Sequence, residues 1–261
     1  MNAFKLPFIF LRLGALNELQ YRVNFFLQLL QSLISLGVGL VGLSLVFEHT
    51  TDLAGWSRPE LLAVMGVYTL MGGVINATIQ PNMNRLLGDV QEGTLDFALT
   101  KPVDSQLIIS VREFWIWRLV DVVVGAIVLG WAIIELGVMI GLGQSLAFAI
   151  SLLLGALMIY SFWLILATGA FWVVRMDQIV ELFQGIYQAG RWPVGIYPEW
   201  LRAGLTFLVP IAFAVTVPAE ALTNRLDVST LLLNALVAVV FLTFSRWFFR
   251  RGLRNYSGAS A

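Results

Sequence analysis

Apolar residues fall in long runs separated by short polar stretches, and the lengths of those runs set the architecture. Several reach the roughly 17–25 residues that a helix needs to cross a hydrocarbon layer about 30 Å thick. The pattern predicts spans near Val23 to Phe47, Glu60 to Gln80, Leu119 to Leu136, Ser145 to Val174 and Val228 to Phe249. Barrel strands are shorter and alternate apolar with polar, so these spans are helices. Ahead of them, Ala3 to Gln20 places Phe4, Phe8, Leu11, Ala15 and Leu19 on one helical stripe, with Lys5, Arg12 and Glu18 off it. That predicts a helix lying in the membrane interface. Arg12 interrupts the first apolar run, which argues against a signal peptide.

Gln178 to Asn224 admits two readings. By hydropathy Ala203 to Leu222 is the better fifth span, although Pro210 and Pro218 interrupt it. Alternatively Gln178 to Pro193 is a polar fifth span, with Glu181, Gln184 and Gln188 turned toward protein. Residues 194–224 then form a broken, re-entrant pair of helices, tolerated only where protein buries it. Both readings give six spans and put both termini on one side of the membrane. With that side cytoplasmic and the re-entrant reading adopted, twelve of the Lys and Arg residues lie inside and four outside: Arg58, Arg191, Arg202 and Arg225. This ratio obeys the positive-inside rule and places residues 81–106, between spans two and three, in the cytoplasm. Trp56, in the loop after span one, reads as an interfacial anchor.

The segment 81–106 is the polar exception in a greasy chain. Its core, QEGTLDFALTKPVDSQ from Gln91, carries Glu92, Asp96, Lys101 and Asp104, yet it keeps Leu95, Phe97, Ala98 and Leu99 close together. A solvated loop has little use for such a cluster. A short helix over Thr94 to Leu99, offering an apolar edge to a partner, accounts for it better.

Composition narrows the chemistry. The chain is 59% hydrophobic and 12% charged, with a formal net charge of zero, so nucleic acid has no electrostatic hold on it. With no cysteine and a single histidine (His49), thiol chemistry, thiolate metal sites and His-based metal clusters are excluded. The only lysines are Lys5 and Lys101, neither preceded by glycine, so there is no P-loop to cradle a nucleotide. No nucleophile elbow and no HExxH occur, so the chain is not expected to be an enzyme. Within the spans, Gln28, Gln31, Asn76, Gln80, Glu181 and Gln184 are candidates to line a pathway, each also readable as helix–helix glue or a cap. Asp121, three residues after Arg118, reads as a local ion pair near the headgroups.

At this point the chain resembles a permease subunit of the type-2 ABC transporter superfamily, in its small six-span branch. The family pattern of Glu-Gly-Thr, two residues, a hydrophobic pair and proline is matched by Glu92, Gly93, Thr94, Leu95, Leu99 and Pro102. Arg175 and Asp177 followed by WPVGIYPEWLR from Trp192, LVPIAFAVTVPAEAL from Leu208 and GLRNYSGAS from Gly252 are similar to later family features. The likeness covers nearly the whole chain and departs at the fifth span, which is short and unusually polar.

The resemblance implies an all-α membrane protein forming a single transmembrane domain over residues 1–261. It would have six transmembrane helices, an interfacial helix at 3–20, a coupling helix within 81–106 and a re-entrant pair at 194–224 before span six. It also implies a multi-pass inner-membrane protein, paired with an identical or homologous permease and in contact with lipid. Cytoplasmic ABC ATPase subunits would hold the ATP and Mg, with no cofactor in this chain. Contact with them would fall to Glu92, Gly93, Thr94, Asp96, Phe97, Lys101 and Pro102. The function so implied is export of an apolar or amphipathic compound. The rival readings are an ion-gradient-driven secondary transporter, which would want paired mid-membrane charges, and a membrane anchor of a cytoplasmic complex.

Overall fold

The computed structural model describes residues 9–12, 14, 16, 22–172 and 177–256. Its ordered elements are helical. We label them α1 (Arg22–Phe47), α2 (Arg58–Gln91), α3 (Asp96–Leu99), α4 (Ser105–Ser110), α5 (Leu119–Leu136), α6 (Leu142–Thr168), α7 (Asp177–Tyr187), α8 (Glu199–Leu208), α9 (Ala212–Leu222) and α10 (Val228–Leu253). Five of these, α1, α2, α5, α6 and α10, are long and apolar enough to cross a membrane. Helices α8 and α9 pass the same test only as a pair, bent by 77°. The described residues therefore hold five candidate spans, or six if the bent pair is counted as one. Helix α7 has 11 residues, about 16 Å at 1.5 Å per residue, and a 3-10 turn, Gln188–Arg191, extends it. Of the expected helix at 3–20, residues 9–12 are helical; the rest of it, and Arg175, lies largely outside the described residues.

Helix α2 is the axis. Its most apolar stretch is 61% buried, against 17% for α1 and 17% for α10. Glycines let α5 lie directly on it. A Cβ at Gly125 would come within 2.4 Å of Leu70 N and 2.8 Å of Gly66 O, and one at Gly73 within 2.6 Å of Val122 N. Backbones this close gain dispersion contact that larger residues would prevent. On the other flank, a Cβ at Gly155 of α6 would stand 2.6 Å from Ala214 Cα, so the bent pair is held against protein as its broken backbone requires.

Span two is longer than the sequence predicts. Its expected end is Gln80, yet the helix continues through Pro81 to Gln91, with a wide π turn at Ile75–Ile79. Proline cannot donate to the carbonyl four residues back. That carbonyl, Ala77 O, instead accepts the Trp115 N–H at 2.9 Å. The fourth span begins at Leu142, three residues before the expected Ser145, and its α-helix passes at Thr168 into a 3-10 turn, Gly169–Phe171. Trp56 is no interfacial anchor: it is buried, with the Arg225 guanidinium 4.7 Å over its ring and Arg225 also paired with Glu60 at 2.7 Å. Asp227 caps α10, accepting from Val228 N–H at 2.8 Å and from the Ser229 hydroxyl. These bonds, the serine's foremost, hold its carboxyl below the usual range.

Candidate functional site

Two polar groupings sit on α2. The first closes its lower end. Gly93 has φ +70°, a left-handed conformation natural to glycine, and it ends the helix in a Schellman-type turn. Thr94 N–H and Leu95 N–H both donate to Asp89 O, at 2.9 and 3.2 Å. The buried Asp89 carboxylate accepts from Arg112 Nη1 at 2.7 Å, from Arg85 Nε at 3.2 Å and from the Thr94 hydroxyl at 3.2 Å. About two turns earlier, the fully buried Asn82 uses its whole side-chain amide. It donates to Thr78 O (2.6 Å) and Glu113 O (2.8 Å) and accepts from Arg112 N (2.8 Å) and Glu113 N (3.0 Å).

This latch presents α3. Leu95 and Ala98 are buried against the protein, Leu99 packs on the same core, and Phe97 stands 79% exposed. Glu92, Lys101 and Pro102 are exposed beside it, while Gly93, Thr94 and Asp96 are half-buried. The helix starts at Asp96 rather than Thr94, because Thr94 is spent on the turn. Beyond it Asp104 caps α4 through Gln106 N–H at 3.0 Å and pairs with Arg246 of α10 at 3.0 Å. A Cβ at Gly252, in the C-terminal GLRNYS, would meet Phe171 at 2.6 Å, so α10 closes tightly on the end of α6. Sequence reasoning missed Asn82 and Asp89. They lie seven residues apart on one helical face, and that spacing was the available signal.

The second grouping is a cavity of about 450 Å³ between α1, α2, the start of α5 and α7. Gln28, Gln31, Asn76, Gln80 and Gln184 all line it; Glu181 does not, and is exposed instead. Asn76 belongs to the wide turn and Gln80 follows it directly. Gln184 Nε2 reaches across from α7 to Gln80 Oε1 at 2.6 Å and to Asn76 Oδ1 at 3.2 Å. Asp121 is not the local ion pair that its spacing predicts. Its carboxylate accepts from Gln28 Nε2 of α1 at 3.0 Å, and no Arg118–Asp121 ion pair forms.

Aromatic packing seats α7. Phe183 lies against Trp163 with ring centres 4.8 Å apart, and Tyr187 stacks on Tyr68 at 4.9 Å while donating to Tyr68 O at 2.9 Å. The same packing brings Arg191 inward. Its guanidinium sits 5.6 Å from the Tyr68 ring centre and 3.4 Å from Ser35 Oγ, rather than in the outer loop where the charge count puts it. Tyr68, Tyr187 and Arg191 are cavity residues that the sequence did not announce. Among the described residues no group of three or more His, Asp or Glu side chains is placed to hold a metal ion.

The structure is a bundle of apolar helices with a polar cavity and a latched helix, and a family comparison says what kind of protein it is. The family description "ABC-2 family transporter protein" matches residues 33–260, most of the chain. The chain belongs to the ABC-2 transporter family. No curated protein and no solved structure matches it significantly. As an ABC-2 permease it is a multi-pass membrane subunit of a transporter, of a kind that is not itself catalytic and that works with ATPase subunits. The match starts within α1, so Gln28, Gln31 and Ser32 precede it while the rest of the cavity and the α3 latch fall inside.

Proposed function

We propose that this ABC-2 permease is the membrane subunit of an ATP-driven exporter, in which separate cytoplasmic ATPases engage α3 and an amphipathic substrate passes by way of the polar cavity. The observation that carries the reading is Phe97. It is 79% exposed on a four-residue helix whose neighbours Leu95 and Ala98 are buried. An aromatic side chain held out by a rigid latch is suited to fill a partner's pocket. The pattern that starts at Glu92 supports the same contact, with Glu92, Gly93, Thr94, Asp96, Lys101 and Pro102 around it. ATP and Mg are held by the partner.

The excess of Arg and Lys at the α3 end favours its placement in the cytoplasm, with both termini there, in an inner membrane. The exposed apolar faces of α1 and α10 suit lipid or a second permease, identical or homologous. Of an apolar and an amphipathic substrate, the amide-rich lining favours the amphipathic one.

The test is capture of P-loop ATPase from native membranes by tagged permease. Wild type should retain the ATPase, and Glu92→Lys and Phe97→Ala should each lose most of it with membrane insertion unchanged. Undiminished capture by both variants would sink the α3 contact.

A further inference from the structure

An arginine near the middle of a membrane protein is expensive unless it is paired or faces a polar cavity. Arg191 is at that depth. Ser35, which its Nη2 approaches at 3.4 Å, is at the midpoint of α1, and Tyr68 lies ten residues into α2, about 15 Å from its start. Among the described residues no carboxylate pairs with it. The cavity's one acid, Asp121, is bound to Gln28, which stands seven residues from Ser35 on α1 and so about 10 Å away along that helix. Arg118 lines the cavity too, which leaves cations in excess there. Around Arg191 the wall is built for hydrogen bonding. Gln31 and Gln188 face the space with no partner among the described residues, beside the Tyr68 ring.

We propose that Arg191 is the anchor of a substrate anion site: the cavity takes an amphipathic compound whose carboxylate or phosphate group meets Arg191. Hydroxyl or amide groups next to that charge meet Gln31 and Gln188. A guanidinium binds such oxygens through charge-assisted bonds that an amide cannot replace. This deepens the exporter reading and rests on it for the word substrate, but the binding itself needs no ATPase.

The experiment uses the full-length permease in nanodiscs and three amphiphiles sharing a dodecyl tail: dodecyl phosphate, dodecyl maltoside and dodecyltrimethylammonium. Dodecyl phosphate should bind about tenfold or more tighter than the other two. Arg191→Gln should erase that preference and leave maltoside binding within about twofold, while Arg191→Lys should keep part of it. Equal binding of the three by the wild type, or preference for the ammonium head, overturns the proposal whether or not the variants fold. An intact preference in a folded Arg191→Gln protein overturns it too. If the phosphate preference depends on Arg191 but α3 variants still capture ATPase, the anion site stands and the α3 contact fails. The reverse pattern spares the exporter reading and sinks this site.

Discussion

The two polar groupings on α2 differ in one respect that separates scaffold from working surface. In the latch, Asn82 makes all four of its bonds and Asp89 binds two arginines, and only Nε and Nη2 of the buried Arg112 have no partner among the described residues. In the cavity, Gln31, Gln188 and Arg191 keep capacity in hand. Burial sets the difference. A buried carboxylate or amide must be matched or it destabilises the fold, whereas a cavity wall can wait for a ligand.

The sharpest way to break this contrast is Asp89→Ala. It strands Arg112, whose side chain is only 14% exposed, and should cost about 3–5 kcal/mol. Thermal denaturation of the purified permease should show it as a large drop in midpoint. Next is Asn82→Ala, which leaves the Arg112 and Glu113 N–H groups without their acceptor and should cost about 2–4 kcal/mol by the same assay. Gln184→Ala, in the cavity, should cost under about 1 kcal/mol, because its lost bonds to Gln80 and Asn76 are replaced by water. Its effect should appear in substrate-stimulated ATP turnover of the assembled transporter, shifted several-fold. A stability loss as large as that of Asn82→Ala would make the cavity amides scaffold after all.

The smallest effect lies outside both groupings. Asp227 has a lowered carboxyl pKa, so its contribution is present above the unfolded pKa and is lost as pH falls through the folded one. Acid should therefore loosen the first turn of α10, as hydrogen exchange would show.

Much of this was legible in the sequence. The long apolar runs gave five spans, and the apolar cluster at Leu95 to Leu99 within the polar segment gave the short helix that follows α2. Polar residues in apolar helices gave five cavity amides. What escaped reading depends on partners distant in sequence. Asp121 had a plausible neighbour in Arg118, but Gln28, 93 positions away, took its carboxylate. Arg191 looked like an outer-loop charge because nothing local says that α7 is too short to carry it across. Span two looked complete at Gln80 because the rescue of Ala77 O, which lets the helix run on through Pro81, comes from Trp115 beyond the turn.

That rescue has a mechanical consequence. A helix flexes most easily where one of its rungs is missing, and α2 lacks one at Ala77. Here the gap is bridged by the segment that leads into α5, so the hinge is tethered. The lower part of α2 cannot swing without either breaking the strut or carrying Trp115 with it. Trp115 is also a wall of the cavity. A push delivered at Phe97 would then reach the chamber as displacement of one indole ring, carried by the segment from Arg112 to Trp115 that Asn82, Asp89 and Ala77 all grip.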